Sequence, residues 1–221
     1  MNHISRAPTK SGVSLPVRIT ELTVEWTRRW HRWVQPFVNA VEGPQADKGW
    51  RWPLKWAETL LVGSLFGQPP RGFVVGVQPD ERSFVPCIIM SMVEDYPYLP
   101  DHTKSSLFVW FLSRAPDAYL RTALHAGTDA IPKLLMQIAV DVAITHSFQL
   151  GMDGRIGLHA APAGEDQLVR KYQHDCGMMQ LPEDVLLPFG FRRLMAPNRG
   201  RYFYHSEDTA LAASGRLDFC R

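Results

Sequence analysis

Apolar side chains recur along this chain with two periods, two residues and about 3.6, and the switches between them mark its elements. Val17 to Leu22, VRITEL, alternates apolar and polar residues and predicts a first strand. From Glu25 to Val41 the period lengthens. Trp26, Trp30, Trp33 and Phe37 stand four, three and four apart, one stripe of a helix that Pro36 should kink or divide. Residues 48–67, KGWRWPLKWAETLLVGSLFG, read as a second amphipathic helix with Trp56, Leu60 and Gly63 on one side, ended by GQPP.

Strand-forming residues then take over. GFVVGV (72–77) and FVPCIIMSMV (84–93), joined by a QPDER turn, predict a hairpin. SLFVWFL (106–112) is a continuous apolar run, as in a strand covered on both faces. After the turn-rich SRAPDAYLRTALHAGTDAIP, the segment KLLMQIAVDVAITHSFQLG carries apolar residues around most of a helical cylinder, which predicts a buried helix ending near Gly151. RIGLHA (155–160) predicts a strand and GEDQLVRKYQHDCG a short helix ending at Gly177. FGFRRLMA and GRYFYHS then flank an APNRG turn as a closing hairpin. A strand–helix–strand crossover over 106–160, inside an otherwise antiparallel meander, makes a mixed α+β sheet. Residues 1–15, rich in Ser, Thr, Lys and Gly, read as a flexible N-terminal arm, and 16–221 as a single domain.

Charge narrows the function classes. The 24 basic and 22 acidic residues leave a net charge of +2, so no global field favours a nucleic acid or a membrane surface, and neither is expected as a partner. Clusters such as Arg28-Arg29 and Arg192-Arg193 read as solvated faces. No run approaches the ~20 apolar residues of a membrane span. MNHISRAPTKSGVSLP lacks an apolar signal core, and cysteines at 87, 176 and 220 form no CxxC pair. The cytosol is therefore the default compartment, with no disulfide framework or zinc ribbon expected.

The stretch GRIGLHAAPAGEDQLVRKYQHDCGMMQLP concentrates reactive side chains. Cys176 and His174 are two apart on a helix and point in different directions, which makes them poor partners for a nucleophile and base. His125, His146, His159 and His174 show no i, i+4 pairing and no neighbouring carboxylate in a ligand pattern, so no metal is expected. GxSxG and P-loop signatures are both absent. The Trp-rich helices read as core packing or the wall of a substrate cleft ahead of a platform for bases.

The element order, with GRIGLHAAP followed by QLVRKYQHDCGM, resembles the GCN5-related N-acetyltransferase (GNAT) superfamily over roughly residues 72–205. That resemblance implies a mixed, mostly antiparallel sheet flanked by helices, with two splayed strands forming an acyl-CoA cleft. The Trp-rich segment 25–67 would then lie on the acceptor side. It implies acetyl-CoA as cosubstrate and an amine-bearing acceptor, small molecule or protein, with room for a homodimer. Backbone groups of Phe111, Leu112 and Ser113 would hold pantetheine amides. Arg121, Gly127, Thr128 and Lys133 would surround the pyrophosphate near the N-terminus of the central helix. Tyr172 would protonate the leaving thiolate, and Glu94 with Asp95 would form the base region; these two also read as solvated turn carboxylates. Tyr172 stands five residues before Gly177 where many relatives have four, so a shorter register would place Gln173 there instead. The usual phosphate signature, Gln/Arg-x-x-Gly-x-Gly/Ala, is reduced to LRTALHAGTDAIPK with one glycine. Two function classes stay open: an acyl-CoA-dependent N-acyltransferase, and a non-catalytic binding module on the same scaffold.

Overall fold

A computed structural model describes residues 4–125, 130–189 and 198–221. Among the described residues its sheet has eight strands in the order β1-β2-β3-β4-β5-β6-β8-β7. They are β1 (Arg6–Pro8), β2 (Ser14–Glu21), β3 (Pro70–Val77), β4 (Val85–Pro97), β5 (Ser105–Arg114), β6 (Ile156–His159), β7 (Met179–Gln180) and β8 (Tyr202–His205). Neighbours pair antiparallel except β5 and β6, which run parallel. The crossover between those two carries α4 (Asp117–Leu124) and the central helix α5 (Leu135–Gln149). The α+β class and mixed sheet expected from the sequence are thus present.

The helices before β3 follow their local signals. In α1 (Val24–Trp33) the Thr23 side chain accepts from the Trp26 N–H at the N-cap, and Glu25 pairs with Arg29 one turn on at 3.0 Å. Pro36, which has no N–H to donate, divides the expected long helix: α2 (Gln35–Ala40) starts afresh with the proline in its first turn. Pro53 opens α3 (Trp52–Leu65) in the same way. The aromatic stripe does not keep to one environment. Trp30 is buried against Trp52, their rings 6.4 Å apart, while Trp33 is 45% exposed.

Strand pairing separates the two faces of the sheet. Ser91 of β4 bonds Thr59 of α3 (2.9 Å), so the face carrying Ser91 is the α3 face. Phe73, on the opposite face, meets His146 of α5. Ser91 pairs with Phe111 and Ile89 with Ser113, which places Phe111 and Ser113 on the α3 side of β5. Between Val109 and Phe111 the register shifts, and Trp110 is the extra residue of a β-bulge.

Several segments differ from the sequence expectation. The arm expected to be flexible is packed from Ile4 onward: β1 pairs with β2, Ile4 and Ala7 are buried, and the Ser5 N–H donates to the Cys220 carbonyl. Two apolar anchors and a strand edge outweigh the turn-like composition. The turn-rich stretch after β5 contains α4. A further helix, α7 (Glu207–Gly215), follows β8 behind a Ser206–Thr209 capping box. Of the closing hairpin, residues 190–197 lie outside the described residues, and Tyr202–His205 pairs with both β6 and β7. No helix among the described residues is long and apolar enough to cross a membrane.

Candidate active site

Strands β5 and β6 pair only from Leu107–Ile156 to Val109–Leu158. Beyond that point the Trp110 bulge carries β5 along β4 toward Arg114, while His159 continues the pairing of β6 with β8. The two strands part, and among the described residues the β6-facing edge of β5 has no strand partner from Trp110 onward. A cavity of about 280 Å³ fills the gap. Its walls are Trp110 to Leu112 on one strand and Leu158 and His159 on the other. Residues of the turn 44–50 and Met136, in the first turn of α5, line it as well.

Tyr172 enters this cavity from the helix after β6. That helix, α6 (Glu165–Arg170), runs into a π-helical turn over Lys171–Asp175, closed by the bond from the Cys176 N–H to the Lys171 carbonyl at 3.0 Å. A π-turn holds one more residue than an α-turn, and it absorbs the extra residue between the tyrosine and Gly177. Tyr172 is thereby buried in the wall of the cavity with its ring on Phe203 (5.6 Å). Gln173 turns away and donates to the Gln180 side chain. The Tyr172 hydroxyl bonds no other described residue, and burial raises its pKa well above the ordinary phenol value, helped by Cys176 and Asp47 nearby.

The other expected site residues divide into groups. Phe111 and Leu112 line the cavity. The Ser113 hydroxyl instead donates to the Asp47 carboxylate, Oδ2, on the α3 side. Arg121 is exposed in the last turn of α4. Lys133 is exposed before α5, its backbone N–H donating to the Pro8 carbonyl at 2.8 Å. Gly127 and Thr128 lie outside the described residues. Glu94 and Asp95 do not line the cavity. They form a second irregularity of β4, at the other end of its pairing with β5, where Asp95 takes φ +54. Glu94 is buried there, accepting from Arg71 Nε at 2.9 Å and facing His146 Nε2 at 3.2 Å.

One residue with no local sequence signal joins the site. Asp47 is 7% exposed, lines the cavity and has a raised pKa. Desolvation is the main cause, partly offset by the Ser113 hydroxyl and by the charge of Lys171, which also borders the cavity. Cys176 is buried behind the turn, and burial pushes its thiol up to about 12, so it stays a packed thiol, not a thiolate.

No protein-family profile and no curated protein matches this chain. Solved structures do. An acetyltransferase of the GNAT family from Staphylococcus aureus Mu50 is similar with a TM-score of 0.50 at 10% identity, over 86% of this chain and 99% of that one. RimJ of Mycobacterium smegmatis, in complex with CoA-disulfide, gives 0.48 at 13% identity over 96% and 93%. AtaTR bound with AcCoA gives 0.45 at 13% identity over 89% and 96%. This chain has the fold of the first of these, a GNAT-family acetyltransferase.

Proposed function

We propose that the protein is an acyl-CoA-dependent N-acyltransferase, transferring an acetyl group to an amine. The observation that carries this reading is the cavity between the parted strands with Tyr172 in its wall. The β5 edge beyond Val109 offers backbone groups to which an extended pantetheine amide chain can add as a strand would. Met136 puts the N-terminal end of α5 at the same cavity. The first amides of that helix have no intrahelical acceptor and suit a pyrophosphate. Arg121 and Lys133 are the exposed cations nearest in sequence to that end, and with Gly127 and Thr128 they remain the proposed surroundings of the phosphates.

The chemistry follows from the protonation states. The amine nitrogen attacks the thioester carbonyl, the C–S bond breaks, and the departing thiolate needs a proton. A buried phenol with a raised pKa is fully protonated at neutral pH and can supply it. Glu94, tied to Arg71 and His146 away from the cavity, is a poor base in this arrangement, as is Asp95 beside it.

Titration calorimetry with acetyl-CoA tests the reading. Saturable heat is expected, together with a rise in melting temperature at millimolar acetyl-CoA. Tyr172→Phe should keep that affinity and lower kcat by about 100-fold. No heat and no thermal shift would remove the acyltransferase function and favour the non-catalytic scaffold.

A further inference from the structure

The turn that carries Asp47 is built more firmly than a surface loop requires. Gln35, 1% exposed on α2, donates through Nε2 to the Asp47 backbone carbonyl (2.9 Å) and to Asn39 Oδ1 (3.1 Å). Asn39 Oδ1 also accepts the Gly49 N–H at 2.9 Å, so both ends of the turn are tied to one helix. Ser113, on the α3 side of β5, donates to Oδ2 of the carboxylate; Oδ1 accepts from no other described residue. A carboxylate left largely dry, fixed from the backbone side and the strand side, costs stability unless something in the cavity uses it.

The surroundings say what that partner is. Beside Asp47 the wall is apolar and aromatic. Trp50 meets Phe111 edge to face at 5.2 Å, with Val41 and Pro44 on the same wall, and the Lys55 ammonium, paired with Glu58 at 3.0 Å, lies 4.6 Å from the Phe111 ring centre. The other ionisable groups of the wall are Lys171 and Tyr172 on the π-helical turn, His159 at the end of β6, and the Arg114–Asp117 pair at the far end. Asp47 is therefore the carboxylate available to a cation entering among Trp50, Phe111 and Pro44, since Asp117 is already paired with Arg114.

We propose that Asp47 binds the acceptor amine and takes its proton, and that the acceptor is a primary amine borne on an apolar or aromatic body. This rests on the acyltransferase reading above. The acceptor enters as its ammonium and gives one proton to the Asp47 carboxylate, which frees the nitrogen lone pair. The nitrogen then forms its bond to the acyl carbon as the C–S bond breaks, and the thiolate takes the Tyr172 hydroxyl proton. The second N–H proton, shed as the amide forms, restores Tyr172 through water, and Asp47 releases its proton to solvent, so the net products are amide, CoA thiol and one proton. Desolvation suits the carboxylate to this role, because a base works best with its pKa raised toward the working pH.

The test measures CoA thiol release from acetyl-CoA with 2-phenylethylamine or spermidine as acceptor, across pH, alongside calorimetry with acetyl-CoA. Asp47→Asn should bind acetyl-CoA as wild type does and lose about 100-fold or more in kcat/KM for phenylethylamine, with the acidic limb of the profile gone. Ser113→Ala removes a donor that favours the ionised form, so it should move that limb to higher pH. If Asp47→Asn binds acetyl-CoA but turns over like wild type, Asp47 is not the base. If Asp47→Asn does not fold, an unmoved limb in Ser113→Ala overturns the proposal in its place. Preference for spermidine overturns the acceptor class. Absence of acetyl-CoA binding by the wild type fails the acyltransferase reading itself, and the proposal with it.

Discussion

His205 makes the packing behind the π-helical turn measurable. It ends β8 with no exposed surface, its Nδ1 3.1 Å from Thr209 Oγ1. Burial lowers its pKa from 6.5 to about 4; the Cys176 backbone partly opposes this and the Arg216 charge adds to it. The unfolded chain takes up a proton as pH falls through 6.5, while the native state does not until about 4. The stability is therefore full above pH 6.5 and lost progressively as pH drops through that window. At 1.36 kcal/mol per pH unit the loss comes to roughly 2.5 kcal/mol by about pH 4.5. Urea unfolding followed by tryptophan fluorescence, at steps from about pH 7.5 to 4.5, measures it for the wild type and for His205→Asn. The variant pays a pH-independent packing cost, so its curve should start lower and fall less steeply. Parallel curves would refute the assignment, because they would mean that His205 takes up its proton equally in both states.

Two other perturbations probe the same half of the molecule. Gly177 takes φ +67, and a Cβ there would overlap the Arg216 guanidinium. Gly177→Ala should therefore cost about 1–2 kcal/mol in urea unfolding, with most of the cost in backbone conformation because the arginine end can move. Asp141 of α5, 2% exposed, accepts from Arg221 Nη2 at 2.8 Å and from the Ser214 hydroxyl. Arg221→Ala leaves that carboxylate buried with one charged partner fewer and should lower stability by roughly 3 kcal/mol, whereas Asp141→Asn in the same background should recover part of the loss.

What the sequence determined by itself was the set of elements whose signals are local. The β-forming runs at 72–77 and 84–93, the apolar run at 106–112 and the all-round apolar helix before Gly151 each reside within a few neighbouring residues. Each forms where expected, as β3, β4, β5 and α5. Tyr172 stands out only through the resemblance to the GNAT superfamily, from its place between a strand and a glycine. The tertiary structure decided everything that depends on residues meeting from a distance. Whether Tyr172 or Gln173 faces inward depends on a π-turn, in which the Tyr172 ring packs on Phe203. Glu94 reads in the sequence as a turn carboxylate, but pairing with Arg71 and His146 withdraws it from the cavity. Asp47, in PQADKG, has the look of any solvated turn. Its meaning comes from Ser113, 66 residues along the chain, and from the bulge at Trp110 beside the space that Asp47 lines. Local propensity acts over a turn or a strand pair; the desolvation that gives a carboxylate its chemistry is created only when distant segments close over it.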